Sequence, residues 1–275
     1  MYCLNKNRSP IIDFHTHLFP QKLQQAIDKW FIEHNWEFPF KGGWKERLDF
    51  FENHPRVEKF LTFGYAHKPG IARQLNDFYG KLQEHSSKAI ALMSAHQDDD
   101  DLPGLVREGA ALGLAGVKLH HHVQLVRPDD ARLYPLYEEV IRQGLFVLMH
   151  AGRGPFSNKF VGFETFRKVP ELYPELKVVI AHLGAPEADE FIDAALHYEN
   201  IYLDTSYTFI RTPEMALEAP VRLFKKAAHK IFFASDFPGI CHRYDDSVKV
   251  IEEIGLNDEA LKGVMYGNAS KFLGL

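Results

Sequence analysis

The sequence has few cysteines, no long hydrophobic run and no excess of basic residues. Cys3 and Cys241 are its two cysteines, so a disulfide framework is not expected and a reducing compartment, the cytoplasm, is predicted. The N-terminus lacks the basic and then apolar segments of a secretory signal, and no apolar run reaches the roughly 18 residues of a membrane span. The formal net charge of −5 argues against a nucleic-acid partner.

Internal repeats, low-complexity tracts and interdomain linkers are also absent from the sequence. We therefore predict one domain over residues 1–275, a length that an α/β barrel commonly fills. No G-x-G-x-x-G motif follows the first apolar run, which argues against a dinucleotide-binding sheet. The expected partner is a small-molecule substrate, and a homodimer is the default expectation for assembly.

Short apolar runs alternate with segments of helical periodicity along the chain, and these segments predict helices that include 129–143, 213–228 and 258–273. The runs, typical of buried parallel strands, lie at residues 11–14, 60–65, 89–93, 114–119, 145–149, 178–181, 201–205 and 231–234. Eight strands alternating with helices fit either a closed barrel or an open doubly wound sheet. The missing glycine motif favours the closed α/β fold, a (β/α)₈ TIM barrel. Residues 18–55, rich in aromatic side chains, exceed one connecting helix and predict an insert over one end of the barrel.

Several of the fifteen histidines stand where predicted strands end. His15 and His17 follow the first strand, His150 ends the fifth, His182 ends the sixth, and Asp236 ends the eighth. In a TIM barrel the active site lies at the carboxyl ends of the strands. Side chains two residues apart on a strand point the same way, so His15 and His17 can converge on one point. We predict that His150 and Asp236 join them there.

Neutral imidazoles and one carboxylate are ligands that suit Zn²⁺, with Mn²⁺ as an alternative. A metal with three or four protein ligands keeps a position for water, which becomes a nucleophile near neutral pH. His182 is then the candidate general acid or base. A lone histidine at a strand end is more often a hydrogen-bonded polar group than a ligand. The prediction therefore depends on the joint pattern of strands one, five, six and eight.

The order of these motifs resembles the amidohydrolase superfamily, and within it the amidohydrolase-related family that includes aminocarboxymuconate-semialdehyde decarboxylase. The motifs are Ile12-Asp-Phe-His-Thr-His17, Gly116-Val-Lys-Leu-His120, Met149-His-Ala-Gly152, Ile180-Ala-His-Leu-Gly184, Ala234-Ser-Asp-Phe-Pro238 and Gly267-Asn-Ala-Ser-Lys-Phe-Leu-Gly274. The resemblance implies a metal site formed by His15, His17, His150 and Asp236. It also implies catalytic roles for Asp236, in handling the water proton, and for His182, in orienting or deprotonating water.

The fourth strand leaves the number of metal ions open. Some amidohydrolases carboxylate a lysine there to bridge two metals, and Lys118 occupies that strand. The narrower resemblance favours one metal, with Lys118 as a substrate-carboxylate contact or an ion-pair partner and His120 close to the site. Arg153, Arg211 and Arg243 are candidates for binding a substrate carboxylate bidentately, although surface salt bridges are the alternative for each.

The resemblance implies a metal-dependent hydrolase that cleaves an amide, lactone or ester bond of a small anionic substrate. The alternative is nonoxidative decarboxylation of an aromatic or muconate-like acid, which needs the same fold and metal. A barrel that keeps its metal only for stability or sensing is a third possibility, and the presence of His182 and Asp236 argues against it.

Overall fold

The structure, a computed structural model, describes residues 9–34, 36, 38–210 and 219–275. Its strands are β1 (Ile11–Thr16), β2 (Val57–Thr62), β3 (Ala89–Ala91), β4 (Met93–Ser94), β5 (Gly116–His120), β6 (Phe146–His150), β7 (Lys177–Ile180), β8 (Ile201–Asp204) and β9 (Ile231–Phe232). Its α-helices are α1 (Gln21–Glu33), α2 (Trp44–Asn53), α3 (Ala72–Gln83), α4 (Leu102–Ala111), α5 (His121–Gln124), α6 (Tyr134–Arg142), α7 (Phe163–Phe166), α8 (Val169–Leu172), α9 (Ala188–His197), α10 (Val221–Lys226), α11 (Tyr244–Glu253), α12 (Asp258–Lys262) and α13 (Asn268–Leu273). None of the helices in these ranges combines the length and apolarity that crossing a membrane requires.

The strands pair in parallel and follow one another in chain order. One ladder holds β1, β2 and β3, and the other runs from β4 to β9. The ladders meet at Leu92, a single residue that interrupts the third predicted strand and divides it into β3 and β4. Leu92 still donates its N–H to the Thr62 carbonyl at 3.1 Å, and Ala115 donates to Ala91 at 2.9 Å. The two ladders therefore form one continuous sheet.

Backbone contacts also join the last strand to the first. Phe14 donates its N–H to the Phe233 carbonyl at 2.9 Å, and Asp236 donates to the His15 carbonyl at 2.9 Å. With β3 and β4 counted as one interrupted strand, eight parallel strands form a closed ring. This arrangement confirms the predicted (β/α)₈ barrel and brings the residues after β9 next to the end of β1.

The pairing of β1 with β2 shifts register between Asp13 and Thr16. Strict alternation would send neighbouring side chains to opposite faces. Because of the shift, consecutive residues both face inward: Phe14 packs on Phe232 with ring centroids 4.4 Å apart, and His15 lines the cavity above. An irregularity of this kind re-aims a side chain at the end of a strand.

A buried apolar layer fills the barrel below the mouth. It is formed chiefly by Ile12, Phe14, Leu61, Phe63, Leu92, Leu148, Val179 and Phe232. The C-terminal helix α13 packs against its lower side, where the Phe272 ring lies 5.0 Å from that of Phe146. This layer is the floor on which the polar side chains of the mouth stand.

The predicted insert is present and covers the mouth. Helix α1 and the segment after it place Phe31, Trp36 and Phe38 on the wall of the cavity. Helix α2 then returns to the barrel and packs on β2, with the Phe51 ring stacked 4.3 Å from Phe60. Residues 18–55 therefore include both a cover for the site and the connecting helix between the first two strands.

Three helices differ from their predicted extents. The predicted helix at 129–143 begins with a 3-10 turn, Ala131–Leu133, before α6, because the Asp130 side chain caps that turn. The predicted helix at 258–273 is split into α12 and α13 by a π-helical turn at Gly263–Gly267. Of the helix predicted at 213–228, residues 213–218 lie outside the described residues, and α10 accounts for part of the rest.

Candidate metal centre

Two imidazoles and one carboxylate meet where the ends of β1 and β9 adjoin. The Nε2 atom of His15 lies 3.3 Å from Oδ1 of Asp236, and Nε2 of His17 lies 3.2 Å from the same oxygen. One potential ligand atom from each of the three residues falls within 4.8 Å of the others. We call this group the His15–His17–Asp236 triad.

Hydrogen bonds on the far side of each ring determine which nitrogen of the triad is free. Nδ1 of His17 lies 3.0 Å from the Phe63 carbonyl, and Nδ1 of His15 lies 2.8 Å from Oδ2 of Asp204. A carbonyl or an ionised carboxylate only accepts, and both Nδ1 contacts are shorter than the contacts of the Nε2 atoms with Asp236, so the geometry favours hydrogen on Nδ1 and leaves Nε2 for a cation. Imidazole Nε2 atoms oriented in this way by outer partners are typical of metal ligands. The donor set therefore fits a divalent cation.

Asp236 is held in an unusual backbone conformation that directs its carboxylate at the two imidazoles. Its φ is 65°, in the left-handed region that non-glycine residues seldom adopt, and strain of this kind is found at functional sites. Burial alone would raise the pKa of Asp236, but the contacts with His17 and His15 outweigh it and lower the pKa to about 2. The carboxylate is therefore ionised at neutral pH, as a metal ligand must be.

A second group of histidines adjoins the triad. Nδ1 of His182 lies 3.0 Å from the Ser206 carbonyl, and Nε2 of His182 lies 3.1 Å from Nδ1 of His150. The His150 ring in turn stacks on His120, with centroids 4.2 Å apart. His150, the fourth predicted ligand, lies in the same cavity but outside the group of atoms within 4.8 Å. Its role as a ligand stays a prediction.

Burial favours the neutral form of three imidazoles at the site, those of His15, His150 and His120. Desolvation lowers the pKa of His15 to about 3, and it lowers the pKa values of His150 and His120 well below the usual value. Neutral rings have the lone pairs that a cation needs and add no positive charge to repel it.

Lys118 lies on β5, lines the same cavity and is almost completely buried. Its ammonium nitrogen lies 4.9 Å from the centre of the Phe63 ring. Burial lowers the pKa of Lys118 to about 8, while the negative charges of Asp204 and Asp236 act in the opposite direction. Lys118 and His120 both line the cavity, as predicted for a substrate or second-metal contact, and that role stays a prediction.

Two of the three arginines predicted to bind substrate, Arg153 and Arg243, do not line the cavity. Arg153 pairs with Glu187 at 2.7 Å, and Arg243, whose side chain is 68% exposed, lies on the surface beside Asp245. Neither arginine lines the cavity, because neighbouring carboxylates hold each of them outside it. Arg211 lies outside the described residues. Arg153 and Arg243 instead form salt bridges with neighbouring carboxylates, which was the alternative that the sequence left open for each of them.

Three polar residues at the site were given no functional role from the sequence. Arg47 of α2 is buried, lines the cavity and bonds to Gln24 of α1. Asp204 and Ser206, at the end of β8, bond to the histidines of both groups. The one signal for Asp204 was its place late in a predicted strand. No signal in the sequence pointed to Arg47, because the sequence does not show which face of α2 turns towards the cavity.

A cavity of about 490 Å³ opens above the triad, a size that suits a small organic molecule. Aromatic side chains form much of its wall: Phe19, Trp30, Phe31, Trp36, Phe38, Tyr65, Phe156 and Tyr207. At the rim, Trp30 of α1 meets Phe156 of the loop after β6, with ring centroids 5.8 Å apart. The triad and the second group of histidines line the same cavity as these rings.

His121, directly behind the cavity wall, gives a stability prediction. It is fully buried, its Nδ1 lies 3.0 Å from the Val126 carbonyl, and burial lowers its pKa to about 4. The unfolded chain binds a proton at this residue below about pH 6.5, whereas the folded chain does not until about pH 4. The free energy of unfolding therefore decreases as the pH is lowered from about 6.5 to about 4. We expect His121 to account for about 2 kcal/mol of the loss between pH 7 and pH 5. Urea unfolding of the wild type and of His121→Asn at both pH values measures it, and an equal loss in the two proteins would contradict it.

The family comparison covers nearly the whole chain. A model of the family described as Amidohydrolase matches residues 12–275. The matched region includes both groups of histidines and Asp236.

Several solved structures share the fold. An uncharacterised TIM-barrel protein from Bordetella bronchiseptica superposes with a TM-score of 0.74 at 20% identity, over 96% of this chain and 98% of that one. A 5-carboxyvanillate decarboxylase from Sphingomonas paucimobilis gives 0.67 at 15% identity, over 98% and 100%. A dihydroxybenzoic acid decarboxylase from Polaromonas sp. JS666, solved with bound manganese and an inhibitor, gives 0.67 at 18%, over 98% of each chain. At these identities the likeness establishes the fold alone.

A curated dihydroorotase from Teredinibacter turnerae is 29% identical over 115 residues, which is 38% of this chain. The chain spans about a third of the length of that relative, 33%.

Proposed function

The chain belongs to the amidohydrolase family, whose members depend on metal, and on that premise we propose that it decarboxylates a small aromatic carboxylic acid. The observation that carries the proposal is the aromatic cavity directly above the His15–His17–Asp236 triad. Rings such as Phe31 and Trp36 offer flat apolar surfaces to a planar substrate. Fold neighbours that are named as decarboxylases of substituted benzoic acids agree with this choice.

His15, His17 and Asp236 would hold one divalent cation, with His150 as the further candidate ligand. When bound, the cation supplies positive charge that binds and orients an acidic substrate and offsets charge as it develops. A donor set of two nitrogens and one carboxylate suits Zn²⁺ and also Mn²⁺. We expect the purified protein to contain about one such ion per chain.

Decarboxylation exchanges a carboxylate for a proton on one ring carbon. The bond between that carbon and the carboxylate breaks, carbon dioxide leaves, and the ring carbon takes a proton, so the reaction needs a proton donor and no oxidant. Both His182 and Asp236 line the cavity: His182 is the candidate proton donor, and the ionised carboxylate of Asp236 can accept a proton and pass it on. The apolar wall excludes water, and a carboxylate that enters it loses solvation, which favours departure as neutral carbon dioxide.

Lys118 gives the floor of the cavity a positive group besides the metal. Its ammonium is buried near Asp204 and Asp236, and His120 lies further along the same strand. Such a floor suits a substrate with an anionic or phenolic oxygen next to the carboxylate. The proposed role of Lys118 is thus to orient the substrate, with one metal present.

A substrate panel tests the proposal. The protein, loaded separately with Mn²⁺ and Zn²⁺, would be incubated with hydroxylated and methoxylated benzoic acids and, in parallel, with lactones, cyclic amides and esters. We expect carbon dioxide and the matching phenol in equal amounts from at least one acid. Hydrolysis of a lactone or amide without any carbon dioxide release would contradict decarboxylation.

Hydrolysis of an amide, lactone or ester is the second candidate, and the partial match to a dihydroorotase favours it. It needs a base that accepts a proton from water and an acid that protonates the leaving group. Asp236 and His182 can supply these functions. The same panel separates the two candidates, because the hydrolase releases no carbon dioxide.

Trp36 gives a prediction about substrate binding. Its ring lies in the cavity wall 5.9 Å from Tyr207, and its Nε1 donates to the Gly239 carbonyl at 3.3 Å. Trp36→Ala removes a flat surface from the wall, so we expect KM to rise by roughly 3- to 10-fold, while kcat changes less. The control is Trp44→Ala, since Trp44 packs on Phe78 outside the cavity. Equal effects of the two substitutions would mean that Trp36 is no part of the binding surface.

A further inference from the structure

Asp204 lies beneath the triad, at the end of β8, and its two carboxylate oxygens have different partners. Oδ2 faces Nδ1 of His15 at 2.8 Å. Oδ1 accepts from the backbone N–H groups of His182 and Ser206, each at 3.0 Å, and from the Ser206 hydroxyl. Asp204 is completely buried, so these bonds have no competition from solvent.

The partners of Oδ1 are all donors, and this fixes the orientation of the carboxyl group. Two of the three are backbone N–H groups, which can only donate. The oxygen on the other side is thereby committed to His15. Asp204 and Asp236 both only accept when ionised, but the 2.8 Å contact of Nδ1 with Asp204 is shorter than the 3.3 Å contact of Nε2 with Asp236, so His15 carries its single proton on Nδ1. Nε2 of His15 is then left with a lone pair directed at Asp236, 3.3 Å away.

We propose that Asp204 is the positioning residue that sets the tautomer of His15 and so makes its Nε2 available to the metal. Asp204 does not itself reach the cation in this role. It acts through the imidazole, and it does so over a sequence separation of 189 residues. The inference rests on the metal centre of the proposed function, but not on the substrate or the reaction type.

Asp204→Asn tests this role with little change of shape. The amide oxygen must stay on the side of the three donors, because an NH₂ group there would face two backbone N–H groups. The NH₂ group therefore replaces Oδ2 and donates to Nδ1 of His15. Because Nδ1 must then accept this hydrogen bond, the ring proton of His15 moves to Nε2. A buried imidazole with hydrogen on Nε2 cannot ligate a metal through that atom.

The first measurement is Zn²⁺ affinity, by competition with a chelator of known affinity. We expect Asp204→Asn to weaken binding by on the order of 10- to 100-fold or more. The matched control is Ser206→Ala, which removes a hydroxyl that donates to Oδ1 and lies 3.2 Å from Nδ1 of His15, but leaves the shorter bond, 2.8 Å, between Asp204 and His15. Its affinity should stay within about threefold of the wild type. Equal affinity of Asp204→Asn and the wild type would overturn the proposal.

The second measurement is the tautomer itself, by nitrogen-15 NMR of histidine-labelled protein with His15 identified from a His15→Gln spectrum. In the wild type, with and without Zn²⁺, we expect the proton on Nδ1 of His15; in metal-free Asp204→Asn we expect it on Nε2. A wild-type proton on Nε2 without metal would overturn the proposal even if the variant failed to fold. Neither readout measures turnover, so an error in the proposed reaction and an error here would be seen separately.

Discussion

Replacing both His15 and His17 by alanine is expected to remove the metal and to reduce turnover by at least roughly 10⁴-fold, because the cation supplies several kcal/mol of stabilisation. The double change deletes two of the three donors in the triad and leaves Asp236 without the imidazoles that lie 3.2 and 3.3 Å from it. A single carboxylate at the bottom of an apolar cavity does not hold a divalent ion at ordinary concentrations.

Elemental analysis of the purified double variant measures the loss directly, and circular dichroism shows whether the barrel remains folded. His122→Ala is the control, since His122 lines the same cavity but stands apart from the triad. It should keep about one metal ion per chain. A full complement of metal in the double variant would show that the ligands have been assigned wrongly.

Much of the barrel could be predicted because buried parallel strands are short apolar runs bounded by polar residues. The run predicted at 145–149, for example, corresponds to β6, which ends at His150, the histidine placed at that strand end from the sequence. The interruption at Leu92 was not predictable, since an apolar residue between two strand segments cannot be distinguished in the sequence from an apolar residue within a strand. The extents of helices such as α6 depended on a cap, at Asp130, whose side-chain bond only the structure shows.

The histidines of the site were visible because their positions follow from strand ends, a local feature. The register shift in β1 was not visible in the sequence. Because of this shift, His15 faces the cavity although its neighbour Phe14 also points inward. Contacts such as that of Asp204 with His15 depend on the closure of the barrel, which brings β8 and β1 together. Arg153 and Arg243 lie outside the cavity for a different reason: a residue on a loop near a strand end is free to turn towards a nearby carboxylate, as Arg153 does towards Glu187.

Replacing His182 is expected to leave the metal in place and to lower kcat by on the order of 10²- to 10⁴-fold, the usual contribution of a general acid or base. His182 follows β7, lines the cavity and bonds to His150 at 3.1 Å, but lies outside the triad. Its φ is 56°, in the left-handed region. Asparagine is the replacement of choice because it tolerates this conformation better than most residues and its amide can still donate to the Ser206 carbonyl.

The measurements are metal content, kcat and KM of His182→Asn beside those of His122→Asn, a second histidine of the cavity wall. Metal retained with kcat strongly reduced and KM little changed would mean that His182 acts on the reacting groups rather than on the cation. Loss of metal together with activity would instead make His182 a ligand or a support of one, through His150. Unchanged kcat would remove His182 from the proton transfers and leave Asp236 as the one candidate among the cavity groups considered.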